Sequence, residues 1–135
     1  MATLKLEIVT PEAVIYSEQV DMVTLPGIEG EMGIYPAHIP LMTQVAHGEI
    51  VARQGGKDHL LAVGEGFVEI TGDRVAVLTD MAIKADDIDE ARAEEARKRA
   101  EARLSEKLSD EESAAVQAAL AHSLTQLKVK RRRHS

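Results

Sequence analysis

The sequence predicts a two-part β + α chain: an N-terminal antiparallel β-sandwich over residues 1–84, then a C-terminal antiparallel α-helical hairpin over 85–135. Three observations predict it. Apolar residues alternate with period two as far as Asp80, they recur every three or four residues after Ile88, and glycine is absent beyond Lys84.

The first strand is the clearest. Leu4, Leu6 and Ile8 share one face while Lys5 and Glu7 take the other, and Pro11 ends the run. Further strand-like runs occupy 13–16, 20–25, 49–53, 60–63, 66–70 and 74–78. The segments 54–58 and 71–73 contain Gly55, Gly56 and Gly72, which accept positive φ, so each predicts a hairpin turn. Short strands joined this way imply a sandwich or barrel.

The helical half opens at Ala85-Asp86-Asp87, which offers an N-cap, and a first helix is expected over about 88–107. Acids (Asp89, Glu90, Glu94, Glu95) lead it and bases (Arg97, Lys98, Arg99, Arg103) follow, as the helix dipole favours. Ser109-x-x-Glu112 fits a capping box that opens a second helix ending near Val129. Ala91, Ala96, Ala100 and Leu104 are expected to face Val116, Leu120, Leu124 and Leu127. Such small side chains bury little apolar area, so two readings stand: a rigid hairpin docked on the sandwich, or two rods that separate and stay helical when another surface covers them.

Composition excludes several classes. Cysteine is absent, which removes disulfides, thiolate nucleophiles and cysteine zinc sites. No run nears the roughly 18 apolar residues of a membrane span, and no signal-peptide core is visible. The three aromatics, Tyr16, Tyr35 and Phe67, all lie in the first half. The formal charge of -7 belongs to residues 1–84, with 12 acids against 5 bases, whereas 85–135 balances 11 against 11. Within that neutral half, Lys128, Lys130, Arg131, Arg132 and Arg133 form a cationic end, read either as a contact for an acidic partner or as a solvated terminus. The acidic remainder and the lack of stacking aromatics disfavour nucleic acid.

No catalytic constellation emerges. His38, His47, His59, His122 and His134 lack metal-ligand spacing, so no metal and no cofactor is implied by the residues. Gly27, Gly30 and Gly33 precede Ile34-Tyr35-Pro36 rather than a phosphate-binding helix. Glu29 and Glu31 could form an acid pair, but they sit on a glycine-flanked turn with nothing to desolvate them, and they read as exposed charges. Residues 27–43, dense in glycine, proline and apolar side chains, read as a tightly specified contact loop.

That loop carries a resemblance. Gly30-Glu31-Met32-Gly33-Ile34-Tyr35-Pro36-Ala37-His38-Ile39-Pro40-Leu41 resembles the G-E-L-G-I-x-P-G-H-x-P-L motif of the epsilon subunits of F-type ATP synthases, with Ala37 in place of the usual glycine. Ile88-Asp89-Glu90-Ala91-Arg92-Ala93 is similar to the I-D-x-x-R-A segment of the same family, and the likeness spans essentially the whole chain. Gly64-Glu65-Gly66 stands where the family more commonly has adjacent glycines.

The resemblance implies a non-catalytic rotor component of the central stalk, coupling proton- or sodium-driven rotation to ATP synthesis. Its partners would be the gamma subunit, the ring of c subunits and the alpha and beta subunits of the catalytic head. It would reach the membrane only through that complex, on the cytoplasmic face of a bacterial inner membrane. By position, Glu29, Gly30, Glu31 and Met32 would meet the c ring, and His38 the gamma subunit. The hairpin would inhibit ATP hydrolysis, with Arg99, Arg103, Lys128, Lys130, Arg131, Arg132 and Arg133 pairing with acidic segments of the head. Some family members bind a regulatory ATP, and Ile88, Asp89, Arg92, Ala93 and Arg99 match that site. Ile83, His122 and Gln126 depart from it, so weak binding or none is expected, with Asp89 capping the helix and salt-bridged to Arg92. The rival readings are a stand-alone scaffold with a helical arm and an RNA-binding protein using the basic end.

Overall fold

A computed structural model describes residues 2–133, Arg133 by its backbone alone. The Arg133 side chain and His134, both considered above, lie outside the described residues. The strands are β1 (Leu4–Val9), β2 (Val14–Val20), β3 (Met22–Gly27), β4 (Gly30–Ile34), β5 (Leu41–Val45), β6 (Gly48–Gln54), β7 (Lys57–Val63), β8 (Gly66–Thr71), β9 (Arg74–Thr79) and β10 (Ala82–Lys84). A 3-10 turn, Ala85–Asp87, leads into helices α1 (Glu90–Leu104) and α2 (Asp110–Arg133).

The strands form one folded sheet ordered β10-β7-β6-β3-β5-β8-β9-β1-β2, with β4 paired to β3. Its pairings are antiparallel except β1 with β9. The two ends, β2 and β10, come together, so the sheet closes on its own apolar face. Leu4, Leu6 and Ile8 are buried as their alternation predicts, joined by Val20, Val23, Leu25, Ile50, Val68, Ile70, Val75 and Val77. The expected sandwich followed by two helices is thus the fold found.

The 20–25 run is not one strand. The chain turns at Asp21, between β2 and β3, because Asp21 faces the neighbouring hairpin: its backbone N–H donates to Arg53 and its carboxylate accepts from Gly55. The segment 27–43 is also more regular than its glycines and prolines suggest. Ile28 and Glu29 form a two-residue turn between β3 and β4, with Gly30 at φ 131°, where a side chain is disfavoured.

Strand β7 departs from alternation: Leu61, Ala62 and Val63 are all buried. Leu61 and Val63 face the sandwich core, whereas Ala62 joins Ala85, Ile88 and Val129 in a second, smaller core under α2. One face of the sheet is therefore roofed by the hairpin.

The helices differ from expectation at their ends and along their seam. Asp86 and Asp87 lie in the 3-10 turn and Asp89 caps α1, accepting the Arg92 backbone N–H at 3.1 Å, because Ile88 is drawn into the second core. The carboxylate thus takes the Arg92 main chain, and no Asp89–Arg92 ion pair occurs among the described residues. The Ser109–Glu112 capping box forms in both directions, at 3.1 and 3.3 Å. On α1, Ala93 and Ala100 are buried while Ala91 and Leu104 are exposed, a rotation set by the later helix start. On α2, Val116 and Leu127 are buried but Leu124 is 47% exposed. Beyond Val129 the helix continues through Arg133, its side chains tied to the sandwich and α1.

Candidate functional site

The face of the sheet opposite the roofed one is bare. Register places Gln44, Phe67, Leu78, Val9 and Val14 in one row across β5, β8, β9, β1 and β2, with Met42, Glu69, Ala76 and Glu7 in the row beside it. Phe67 is 54% exposed, Leu78 58% and Met42 66%. Each follows from strand parity: Val68 and Ile70 point inward, so Phe67 points outward, and Leu78 does likewise between Val77 and Thr79. Sequence reasoning did not single out these residues, although their parity was readable. Large apolar groups grouped on a water-facing sheet mark a protein contact.

His38 lies at the margin of this face. It belongs to the loop between β4 and β5, whose Ala37 N–H donates to Asp73 Oδ1 at 3.0 Å, pinning the loop beside the β8–β9 turn. His38 is half-buried, with Nδ1 2.6 Å from the Ile39 carbonyl, while Ile39 itself is exposed. The loop therefore extends the apolar face from Met42 outward.

The turn containing Glu29 to Met32 is divided. Glu29, Gly30 and Glu31 are exposed, but Met32 folds back against the sandwich core, leaving the two acids as the presented chemistry. Glu31 lines a cleft of about 890 Å³ between β3, β6 and α2, together with Glu49, Lys128 and Arg132.

The basic end of α2 is engaged within the chain. Arg131 pairs with Glu90 at 3.0 Å and Glu94 at 3.2 Å, Lys130 Nζ donates to the Ala85 carbonyl at 3.1 Å, and Arg132 pairs with Glu49. Burial pushes the Glu49 carboxyl upward, and Arg132 and Lys128 oppose that rise. Arg97 beside Glu94 holds that carboxyl below its usual range. Arg103 reaches Glu106 and Glu112, both at 3.5 Å. One more tie joins the halves: His122 Nε2 lies 3.2 Å from Asp80 Oδ2, over Gly64. A Cβ at Gly64 would fall 1.9 Å from Asp80 Oδ1 and 2.9 Å from His122 Nε2, so the pair closes only over a glycine.

The residues matched to a nucleotide site come together in part. Asp89, Arg92, Ala93 and Arg99 line a cleft of about 340 Å³ with Ile83 and Gln126. Ile88 is withdrawn into the second core, and His122 is committed to Asp80. No cluster of three or more metal-ligating side chains occurs among the described residues.

Comparison with known proteins identifies the family. The sequence model described as ATP synthase, Delta/Epsilon chain, beta-sandwich domain matches residues 3–85, and the model described as the long alpha-helix domain of the same chain matches 86–131. The chain is 50% identical over 137 residues to the ATP synthase epsilon chain of Dehalococcoides mccartyi, covering 99% of this chain and 98% of that one. It is 42% identical to the epsilon chain of Laribacter hongkongensis, with 95% and 93% covered. Among solved structures, a chain of the Euglena gracilis mitochondrial ATP synthase superposes with a TM-score of 0.75 at 24% identity, covering 93% of this chain and 79% of that one. A chain from the central stalk and c-ring of the Tetrahymena thermophila mitochondrial enzyme gives 0.57 at 12% identity, with 96% and 97% covered. Those two likenesses concern the fold. The identity and coverage of the sequence relatives settle the rest: the chain belongs to the delta/epsilon chain family of ATP synthases.

Proposed function

We propose that this chain is a non-catalytic rotor subunit of an F-type ATP synthase, sited in the central stalk and coupling ion-driven rotation of the c ring to ATP synthesis. The observation that carries this reading is the bare apolar face of Met42, Phe67 and Leu78, continuous with the His38 loop. A rotor element transmits torque, so it needs a contact that does not slip, and a broad apolar sheet face fits that need. The gamma subunit is its partner. The acids Glu29 and Glu31 protrude from the β3–β4 hairpin turn and meet the polar loops of the c ring, where complementary charge sets register.

The hairpin is the regulatory part. When it leaves the sandwich and enters the catalytic head, Lys128, Lys130, Arg131, Arg132 and Arg133, with Arg99 and Arg103, exchange their present environment for acidic segments of the alpha and beta subunits and block hydrolysis. Support comes from the mixed character of its docking, in which a small apolar core is joined by the His122–Asp80 and Arg132–Glu49 pairs. Reconstituting the complex with the chain cut before Asp86 tests both halves. Assembly and synthesis are expected to survive while ATPase activity rises severalfold. Unchanged hydrolysis overturns the inhibitory role, and failure of the sandwich alone to bind gamma overturns the rotor role.

ATP binds this hairpin weakly or not at all. The cleft of Asp89, Arg92 and Arg99 has Ile83 where an acceptor is needed, and the Gln126 amide rests 3.7 Å from the Met81 sulfur. Each missing charge-assisted hydrogen bond costs about 1.5–3 kcal/mol. Titration with MgATP, read on hairpin amide shifts, is expected to give no saturation at micromolar concentrations; low-micromolar affinity would refute this. The subunit attaches to the cytoplasmic side of a bacterial inner membrane through its complex, consistent with the absence of a helix long and apolar enough to cross a membrane among the described residues.

A further inference from the structure

The basic end of α2 and the Glu31 turn share one acidic ground. Glu49 stands at the start of β6, its side chain 16% exposed, and receives the Arg132 guanidinium. The carboxylate is pulled in two directions: burial and nearby Glu31 favour its protonated form, while Arg132 and Lys128 favour its charge. Glu31, Glu49, Lys128 and Arg132 all line the cleft between sandwich and hairpin.

Apolar contact along this cleft is thin, since Leu124 is 47% exposed and Leu120 only half-buried. The ionic contact therefore carries a larger share of docking here than at the second core. Glu49 is shielded from water while Arg132 is 63% exposed, so solvent screens the pair from one side only. Lifting α2 away leaves Glu31 and Glu49 as neighbouring acids without those cations.

We propose that Glu49, gripping Arg132 with Lys128 beside it, is a clasp that ties hairpin docking to the charge on Glu31. A cation brought to Glu31 by a partner loosens the hairpin, and release of the hairpin makes Glu31 a stronger acceptor for that cation. The two effects are equal by linkage, since each is the same coupling free energy read from opposite ends. The consequence for the partner rests on the rotor reading, but the clasp itself is a property of the isolated chain.

The absence of cysteine makes the test direct. Val129, 1% exposed in the second core, is replaced in the full chain by Val129→Cys, and the rate of thiol labelling reports how often α2 lifts, even when the open form is rare. Glu49→Gln is expected to speed labelling about tenfold and Glu31→Gln about two- to threefold, as suits a near and a more distant charge. Glu31→Gln is expected to change nothing once Lys128→Gln and Arg132→Gln are present. The reversed pair Glu49→Arg with Arg132→Glu should restore slow labelling if Glu49→Gln acts through the clasp and not through misfolding. The proposal is overturned if Glu31→Gln is silent in the parent background, if it acts equally without the two cations, or if Glu49→Gln leaves the rate unchanged. None of these outcomes bears on binding to gamma, which is measured separately and can fail independently.

Discussion

The two outer faces of the sandwich are built on opposite principles. Under the hairpin the sheet offers Ala62, with half-buried Leu60, and the helix answers with Val129 and a set of polar ties at Asp80, Ala85 and Glu49. On the far side Met42, Phe67 and Leu78 are exposed to water among the described residues. Uncovering the first face exposes the small core of Ala62, Ala85, Ile88 and Val129, while its charged groups regain hydration and offset part of that cost. Covering the second removes large side chains from water, with Gln44, Glu69 and the Glu7–Arg74 pair left to be matched by a partner. The difference is one of composition: the covered face joins a small apolar core to polar ties, whereas the bare face presents large apolar side chains to water, the contrast that the proposed release and the proposed gamma contact rest on.

The sharpest way to break this comparison is Phe67→Glu with Leu78→Glu. Losing two central apolar contacts at about 1.5–3 kcal/mol each predicts at least a hundredfold loss of affinity for gamma. Stability of the isolated chain should change by only about 0.5 kcal/mol, since both positions are already solvated. Affinity by titration calorimetry and denaturant midpoints measure the two effects separately. A large loss of stability with intact binding would mean that the face is structural.

A second pair of substitutions compares the faces directly. Ala62→Leu inserts a larger side chain where the sheet meets α2, and overpacking of this kind costs about 1–3 kcal/mol. With the hairpin lifting as proposed, the cost is expected as faster labelling of the Val129→Cys thiol with little change in the sandwich itself. Ala76→Leu adds the same volume at a half-buried position on the bare face, between Glu69 and Glu7 and away from α2, and is expected to leave both readouts near the parent values. Equal effects at the two positions would contradict the assignment of one face as covered and the other as free.

Much of this architecture was legible in the sequence, and what was hidden has definite causes. Leu4, Leu6 and Ile8 announced their strand because one face meets the core and the other meets water. Strands β4 and β5 were masked by glycines and prolines, whose local preferences suggest a loop while tertiary pairing with β3 and β8 overrides them. The α1 boundary was misplaced because three acids within four residues, Asp86, Asp87 and Asp89, all suit a cap, and burial of Ile88 selects the last. At the candidate site, the motif pointed to Glu31 and His38, but no sequence period links Glu49 to Arg132, 83 residues away. Such a contact exists only once the hairpin has folded back.

The smallest expected effect concerns the loop that bounds the bare face. Ala37 adopts φ 66°, a left-handed conformation that costs a residue with Cβ about 1–2 kcal/mol relative to glycine. It persists because the Ala37 N–H must point at Asp73 Oδ1 to hold the loop against the β8–β9 turn. Ala37→Gly removes that strain but restores freedom to the unfolded chain, an opposing term of about 0.4–1 kcal/mol. The net gain is about 0.5 kcal/mol, or a rise of about 1–2 °C in Tm for a chain of this size, measurable by calorimetry. Affinity for gamma should stay within about twofold, since 1.4 kcal/mol is needed for a tenfold change and the loop keeps its anchor. A larger fall in affinity would mean that the Ala37 methyl itself belongs to the held face.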